Sequence, residues 1–142
     1  MNAVANWFEE LDTPAAEDFK KRWHAKFPNE QYINDMGYNA YTAIYMYKQL
    51  VEAAKSTQLA DLRKVIATGK ACIEAPEGTI CIDPKSQHTS HYMRLVTVDE
   101  KHKVKVIKDF GLIQPFWLGE IGCDLTKKND KKQYTPSELP SK

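Results

Sequence analysis

Few residues of this chain are spaced for chemistry. His88 and His91 lie three apart in Gln87-His88-Thr89-Ser90-His91, a separation that clasps a metal ion when both imidazoles share a helical face. Pro84, Ser86, Thr89 and Ser90 around them favour a loop, and no Cys or carboxylate close by completes a ligand set. A solvated loop is therefore expected, with no metal site and no cofactor. His24 stands beside Trp23 on a charged segment and His102 in a turn, so both read as surface groups.

Cys72 and Cys81 flank Ala75-Pro76-Glu77-Gly78. If those four residues form a turn, Glu74 faces Thr79 and the same register sets Cys72 opposite Cys81, close enough for a bridge. Cytosolic thiols stay reduced, so two small half-buried side chains are the preferred reading, with the bridge as the alternative. Neither cysteine has a cationic cluster in sequence to make it a nucleophile. There is no Gly-x-Ser-x-Gly elbow, no phosphate-cradling glycine loop and no pair of histidines on a helix around a Glu. Tyr38, Tyr41 and Tyr45 could line a cleft through their stacking faces and polar tips, although such a stripe also serves as core. No enzyme is expected.

Three helices must position these groups. Thr13 caps and Pro14 opens the first, whose Phe19, Trp23 and Phe27 make an aromatic stripe before Pro28-Asn29 stops it. A longer helix spans about residues 35–55, with Ala40, Ala43, Ile44, Tyr47, Leu50, Val51 and Ala54 along one side and the tyrosines beside them. An apolar arc so wide asks for more than one neighbour. Ser56-Thr57 is expected to cap a third helix with a Leu59, Leu62, Val65, Ile66 face, and Gly69 to end it.

The period then becomes strand-like. Residues 79–83, 91–98 and 103–107 read as strands, the last two joined by Asp99-Glu100-Lys101-His102. The first ten residues form either a strand or an extended lead-in. Residues 110–122, broken by Gly111, Pro115 and Gly119, should wander along a surface. The polar residues 126–142 form an expected disordered tail behind one domain, residues 1–125. The fold class is α+β, or partial α/β: three helices, then a small antiparallel region and an extended tail.

With 142 residues, 42% of them hydrophobic, the chain suits one domain. Twenty Lys+Arg against nineteen Asp+Glu leave a net charge of +1, without the basic surplus of a nucleic-acid binder. No apolar run is long enough to insert in a membrane, and the first residues carry no export signal, so the chain as written is expected in the cytoplasm.

The order of short motifs adds a family. Trp7-Phe8-Glu9-Glu10-Leu11-Asp12-Thr13-Pro14, Phe19 and Trp23, Ala40-Tyr41, and Glu52-Ala53-Ala54-Lys55-Ser56-Thr57 come first. Leu62-Arg63-Lys64-Val65, Glu74-Ala75-Pro76-Glu77-Gly78-Thr79, Ile82-Asp83-Pro84-Lys85, His88 and Ile113-Gln114-Pro115-Phe116 follow. Over about residues 3–118 this resembles the C-terminal part of type I periplasmic solute-binding proteins of ABC transporters, most like the urea and short-chain amide branch related to branched-chain amino-acid binders. The resemblance implies two α/β lobes with solute between them, a periplasmic address for the whole family, and a small amide or amino-acid-like solute. It points to Met36 as a cleft residue, with Tyr38 as its neighbour, and makes His88 and the 75–78 turn structural. It also implies that the helices lack their parallel sheet. The isolated chain is therefore expected to form a homo-oligomer, a dimer, by burying Phe19, Trp23 and Tyr41 or Tyr45 between subunits. An oligomeric interaction or regulatory module that has lost solute binding is the alternative function.

Overall fold

A computed structural model describes residues 2–115 and 124–126. Its elements are β1 (Asn2–Ala5), α1 (Pro14–Lys26), α2 (Asp35–Ala54), α3 (Leu59–Ala67), β2 (Cys72–Ala75), β3 (Gly78–Cys81), β4 (His91–Val98) and β5 (Val104–Ile113). The expected α+β class and the helix order hold. The strands form two antiparallel sheets, β1-β4-β5 and the hairpin β2-β3. The first residues are thus a strand, paired with β4 from Asn2↔Thr97 to Ala5↔Arg94.

Local chemistry sets the helix ends. The Thr13 hydroxyl accepts from the Ala16 amide at 3.1 Å ahead of Pro14, and Asn34 Oδ1 accepts from the Gly37 amide at 2.8 Å to open α2. Gly69 follows α3 at φ 70°, a left-handed conformation that glycine adopts without a Cβ clash. The cap of α3 differs from expectation. Gln58 takes that place with no side-chain cap bond, while the Ser56 hydroxyl accepts from the Gln58 amide at 3.1 Å. β5 also runs further than the sequence suggests, through Ile113. Gly111, at φ 68°, and two register shifts against β4 absorb the irregularity expected to end pairing at residue 107. The rest of the expected wandering stretch, from residue 116 to 122, and all of the expected tail except Thr126 lie outside the described residues.

Two buried clusters fill the interior. In the first, the Trp7 ring stacks on Tyr38 at 4.4 Å and meets the edge of Phe19 at 5.2 Å, and its indole N–H donates to the Ile33 carbonyl at 2.8 Å. The second sets Met46 and Leu50 of α2 and Leu62 of α3 against Ala75 and Ile80 of the hairpin. The inner face of α2 is therefore Tyr38, Thr42, Met46 and Leu50. The expected stripe is split: Leu50, Val51 and Ala54 pack in the second cluster, whereas Ile44 and Tyr47 point outward, 68% and 50% exposed.

The rings expected to meet between subunits differ in exposure. Phe19 is buried, and Trp23 packs half-buried against it at 5.7 Å. Of the other rings expected between subunits, Tyr41 is half-buried and Tyr45 is exposed.

Candidate functional site

The end of β1, the first turns of α2, the hairpin turn and the start of β4 converge on one carboxylate. Glu77 occupies the two-residue turn Pro76-Glu77, between the paired Ala75 and Gly78. Its side chain is 0% exposed. A carboxylate taken wholly out of water is costly unless donors surround it, and four do. Oε1 accepts from the Tyr38 hydroxyl at 2.9 Å, His91 Nδ1 at 2.9 Å and Asn6 Nδ2 at 3.2 Å, while Oε2 accepts from the Tyr92 amide at 2.8 Å. The turn itself is held by the Thr13 hydroxyl, which donates to the Pro76 carbonyl at 2.9 Å. Gly78, at φ 129°, lies so close to the Tyr92 ring that an added Cβ would stand 2.6 Å from it. Only glycine lets the turn dock there.

Proton positions follow from these contacts. An ionised carboxylate only accepts, so Tyr38 and His91 Nδ1 both donate to it. Burial, and then the charge of Glu77, push the Tyr38 hydroxyl far above the ordinary tyrosine range, which keeps it a donor. An imidazole with its single proton on Nδ1 has Nε2 as an acceptor.

Beside this cluster lies an open cavity of about 300 Å³, between the 39–46 face of α2 and the strands. Asn6, Asn39, Thr42, Thr89 and His91 supply its polar lining, and Ala43, Met46, Ile80 and Met93 the apolar part. Asn39 Oδ1 is taken by Asn6 Nδ2 at 2.9 Å, which leaves the Asn39 amide N–H groups as donors. Among the lining residues, Asn39 thus keeps amide N–H groups to donate, while Asn6 carries an amide carbonyl and His91 a second ring nitrogen. That set can hold a small neutral group possessing both an N–H and a carbonyl.

Met36 is 78% exposed on the first turn of α2, and Tyr38 is buried with its ring on Trp7 and its hydroxyl on Glu77. His88 and His91 are engaged separately, His88 Nδ1 on the Ser86 carbonyl at 3.1 Å and His91 on Glu77. Among the described residues, no group of three or more His, Cys, Asp or Glu is placed to hold a metal ion. In the sequence His91 has no visible partner, and residues 75–78 read only as a turn. The available signal was a lone carboxylate in a Pro-Glu-Gly turn between two short strands. The preferred reading of the cysteines is corrected too: Cys72 and Cys81 form a disulfide, with an S–S distance of 2.09 Å. The inferred register, Glu74↔Thr79 and Cys72↔Cys81, is the observed one.

Helices beside small antiparallel sheets, with a polar cavity at their junction, define a piece of a binding-protein lobe. The periplasmic binding protein family model matches residues 1–103, and the chain belongs to that family. Similar solved structures are solute-binding proteins of ABC transporters. One from Rhodopseudomonas palustris HaA2, in complex with p-hydroxybenzoic acid, is 21% identical over 82% of this chain and 32% of that chain, with TM-score 0.59. Another, from R. palustris BisB5 with 3,4-dihydroxybenzoic acid, is 17% identical over 80% and 30%, with TM-score 0.59. A third, from R. palustris with benzoate, is 15% identical over 79% and 29%, with TM-score 0.59. The chain thus spans about a third of the length of these structures. Among the described residues, no helix is long and apolar enough to cross a membrane.

Proposed function

We propose that this chain serves solute recognition for an ABC transporter without catalysing a reaction, and that its cavity takes the amide head of a small neutral solute such as acetamide or urea. One observation carries the choice of solute: among the described residues the cavity is lined by Asn6, Asn39, Thr42, Thr89 and His91 as polar groups, with no Lys or Arg. The aromatic acids named for the similar structures carry a carboxylate, and an anion in a sheltered site needs a cation opposite it. Met36 is proposed as an apolar contact at the mouth, one turn before Asn39, and Tyr38 as a residue that acts on the solute through Glu77. The Cys72–Cys81 disulfide and the family together favour the periplasm as the working compartment.

A second copy is proposed as a partner on the outer side of α2, where Ile44 and Tyr47 lie open, rather than on the α1 aromatics. Titration calorimetry with acetamide, urea, leucine and benzoate tests the solute assignment. Heat and a rise in Tm with acetamide or urea, lost in Asn39→Ala, are expected. Binding of benzoate alone would overturn the amide assignment.

A further inference from the structure

The disulfide is not used by the binding site, yet it closes the element that delivers Glu77. We propose that Cys72–Cys81 is a redox control on the Glu77 anchor: reduction frees β2, withdraws the carboxylate from its donors and weakens the cavity. As a control on binding, this rests on the proposed amide site.

The geometry makes the two strands of the hairpin unequal. β3 is fastened to the segment before β4, since the Cys81 amide donates to Ser90 Oγ at 3.0 Å and the Ser90 amide to the Cys81 carbonyl at 2.8 Å. β2 has no strand partner besides β3 among the described residues, and Cys72 is its first residue. A two-stranded hairpin is marginal by itself. This one is closed at its open end by the disulfide and at its turn by the hydrogen bonds of Glu77. Without the bridge, β2 is left with its ladder to β3, the Ile82 amide on the Ala71 carbonyl at 2.9 Å, the packing of Ala75 and the bonds of the turn, set against the solvation that the Glu77 carboxylate recovers on leaving. The bridge is also within reach of solvent. Both cysteines are half-buried, and Cys72 borders an open surface cavity of about 270 Å³ faced by Tyr45, Lys48 and Glu52 of α2.

A small dithiol is the reductant class required. Its thiolate attacks one sulfur to form a mixed disulfide, and its second thiol closes the reductant's own disulfide. Two electrons pass to the cysteine pair, which leaves as two protonated thiols.

The test uses the full chain carrying Cys123→Ser, so that the pair supplies every thiol, treated with dithiothreitol without denaturant. Thiol alkylation reads the bridge, amide hydrogen exchange reads the site, and acetamide calorimetry reads the cavity. The Tyr92 amide is the direct reporter, because its acceptor is Glu77 Oε2. Reduction is expected to speed its exchange by about tenfold or more while α1 amides keep their protection, and to lower acetamide affinity by a similar factor. The double variant Cys72→Ser with Cys81→Ser should do the same with no reductant. A bridge that opens only with global unfolding, or a Tyr92 amide equally protected in oxidised and reduced chains, overturns the proposal. If the oxidised chain takes up no acetamide, the solute assignment falls, while Tyr92 exchange still decides whether the bridge governs Glu77.

Discussion

The two sides of α2 are made of similar residues and have opposite fates. On the inner side, Tyr38, Thr42, Met46 and Leu50 are buried against Trp7, the hairpin and α3. On the outer side, Ile44 and Tyr47 stand in solvent. Apolar character alone does not separate them. What separates them is a polar hub: the inner side carries Tyr38 and Asn39, whose hydrogen bonds to Glu77 and Asn6 fix the rotation of the helix about its axis. A buried carboxylate tolerates one arrangement of donors, whereas an aliphatic stripe accepts any apolar neighbour.

The largest effect should come from removing the inner side's main support. Trp7→Ala deletes the ring stacked on Tyr38 and the donor to Ile33, and should cost about 3–5 kcal/mol in urea unfolding. If the cost proves as small as that of an outer-side change, the inner cluster does not organise the fold. Next comes Glu77→Gln, which keeps the shape but replaces an acceptor-only group by one carrying its own N–H donors. Loss of about 2–3 kcal/mol is expected, together with faster exchange of the Tyr92 amide. A neutral result would mean that packing alone sets the rotation of α2.

Most of the inner architecture was legible in the sequence, because its signals are local. Thr13-Pro14, the Phe19 stripe and Gly69 each act within a turn or two of chain, and all appear where the spacing places them. The hairpin register was readable as well, since a short turn leaves few alternatives. The choice of α2 face was not legible. Ala40, Ile44 and Tyr47 have better aliphatic periodicity than Tyr38, Thr42 and Met46, and the deciding contacts come from Glu77, 39 residues away from Tyr38. The candidate site was hidden for the same reason. Asn6, Asn39, Glu77 and His91 form no motif in sequence and meet only through the fold. The disulfide follows from the hairpin register, which sets the two cysteines face to face, and not from cysteine count or compartment.

A smaller effect is expected on the outer side. Ile44→Lys removes one exposed aliphatic group, so monomer stability should stay within about 0.5 kcal/mol of the parent. Sedimentation velocity should instead show less self-association, because the charge resists burial against a second copy. An unchanged association constant would leave the outer side without the proposed partner role. A large loss of stability would show that the outer side is not free at all.

The smallest effect is an alkaline limb of stability beside the inner side. Tyr32 lies in the segment between α1 and α2, where its hydroxyl accepts from the Glu9 amide at 3.1 Å and donates to Glu10 Oε2 at 3.0 Å. Burial first, and the bond and charge of Glu10 with it, push its pKa up to about 12, against about 10 for an unfolded chain. Between those values the unfolded chain has lost a proton that the folded chain keeps. The contribution is therefore complete below about pH 10 and disappears as pH rises through 12. Half-exposure limits its size, because solvent screens the carboxylates that oppose ionisation. In urea titrations across that range, Tyr32→Phe should flatten the decline without abolishing it, since the more deeply buried Tyr38 shifts in the same direction. A decline equally steep in the variant would take Tyr32 out of the alkaline limb and leave it to Tyr38 at the Glu77 hub and to Tyr41, whose hydroxyl burial also pushes up.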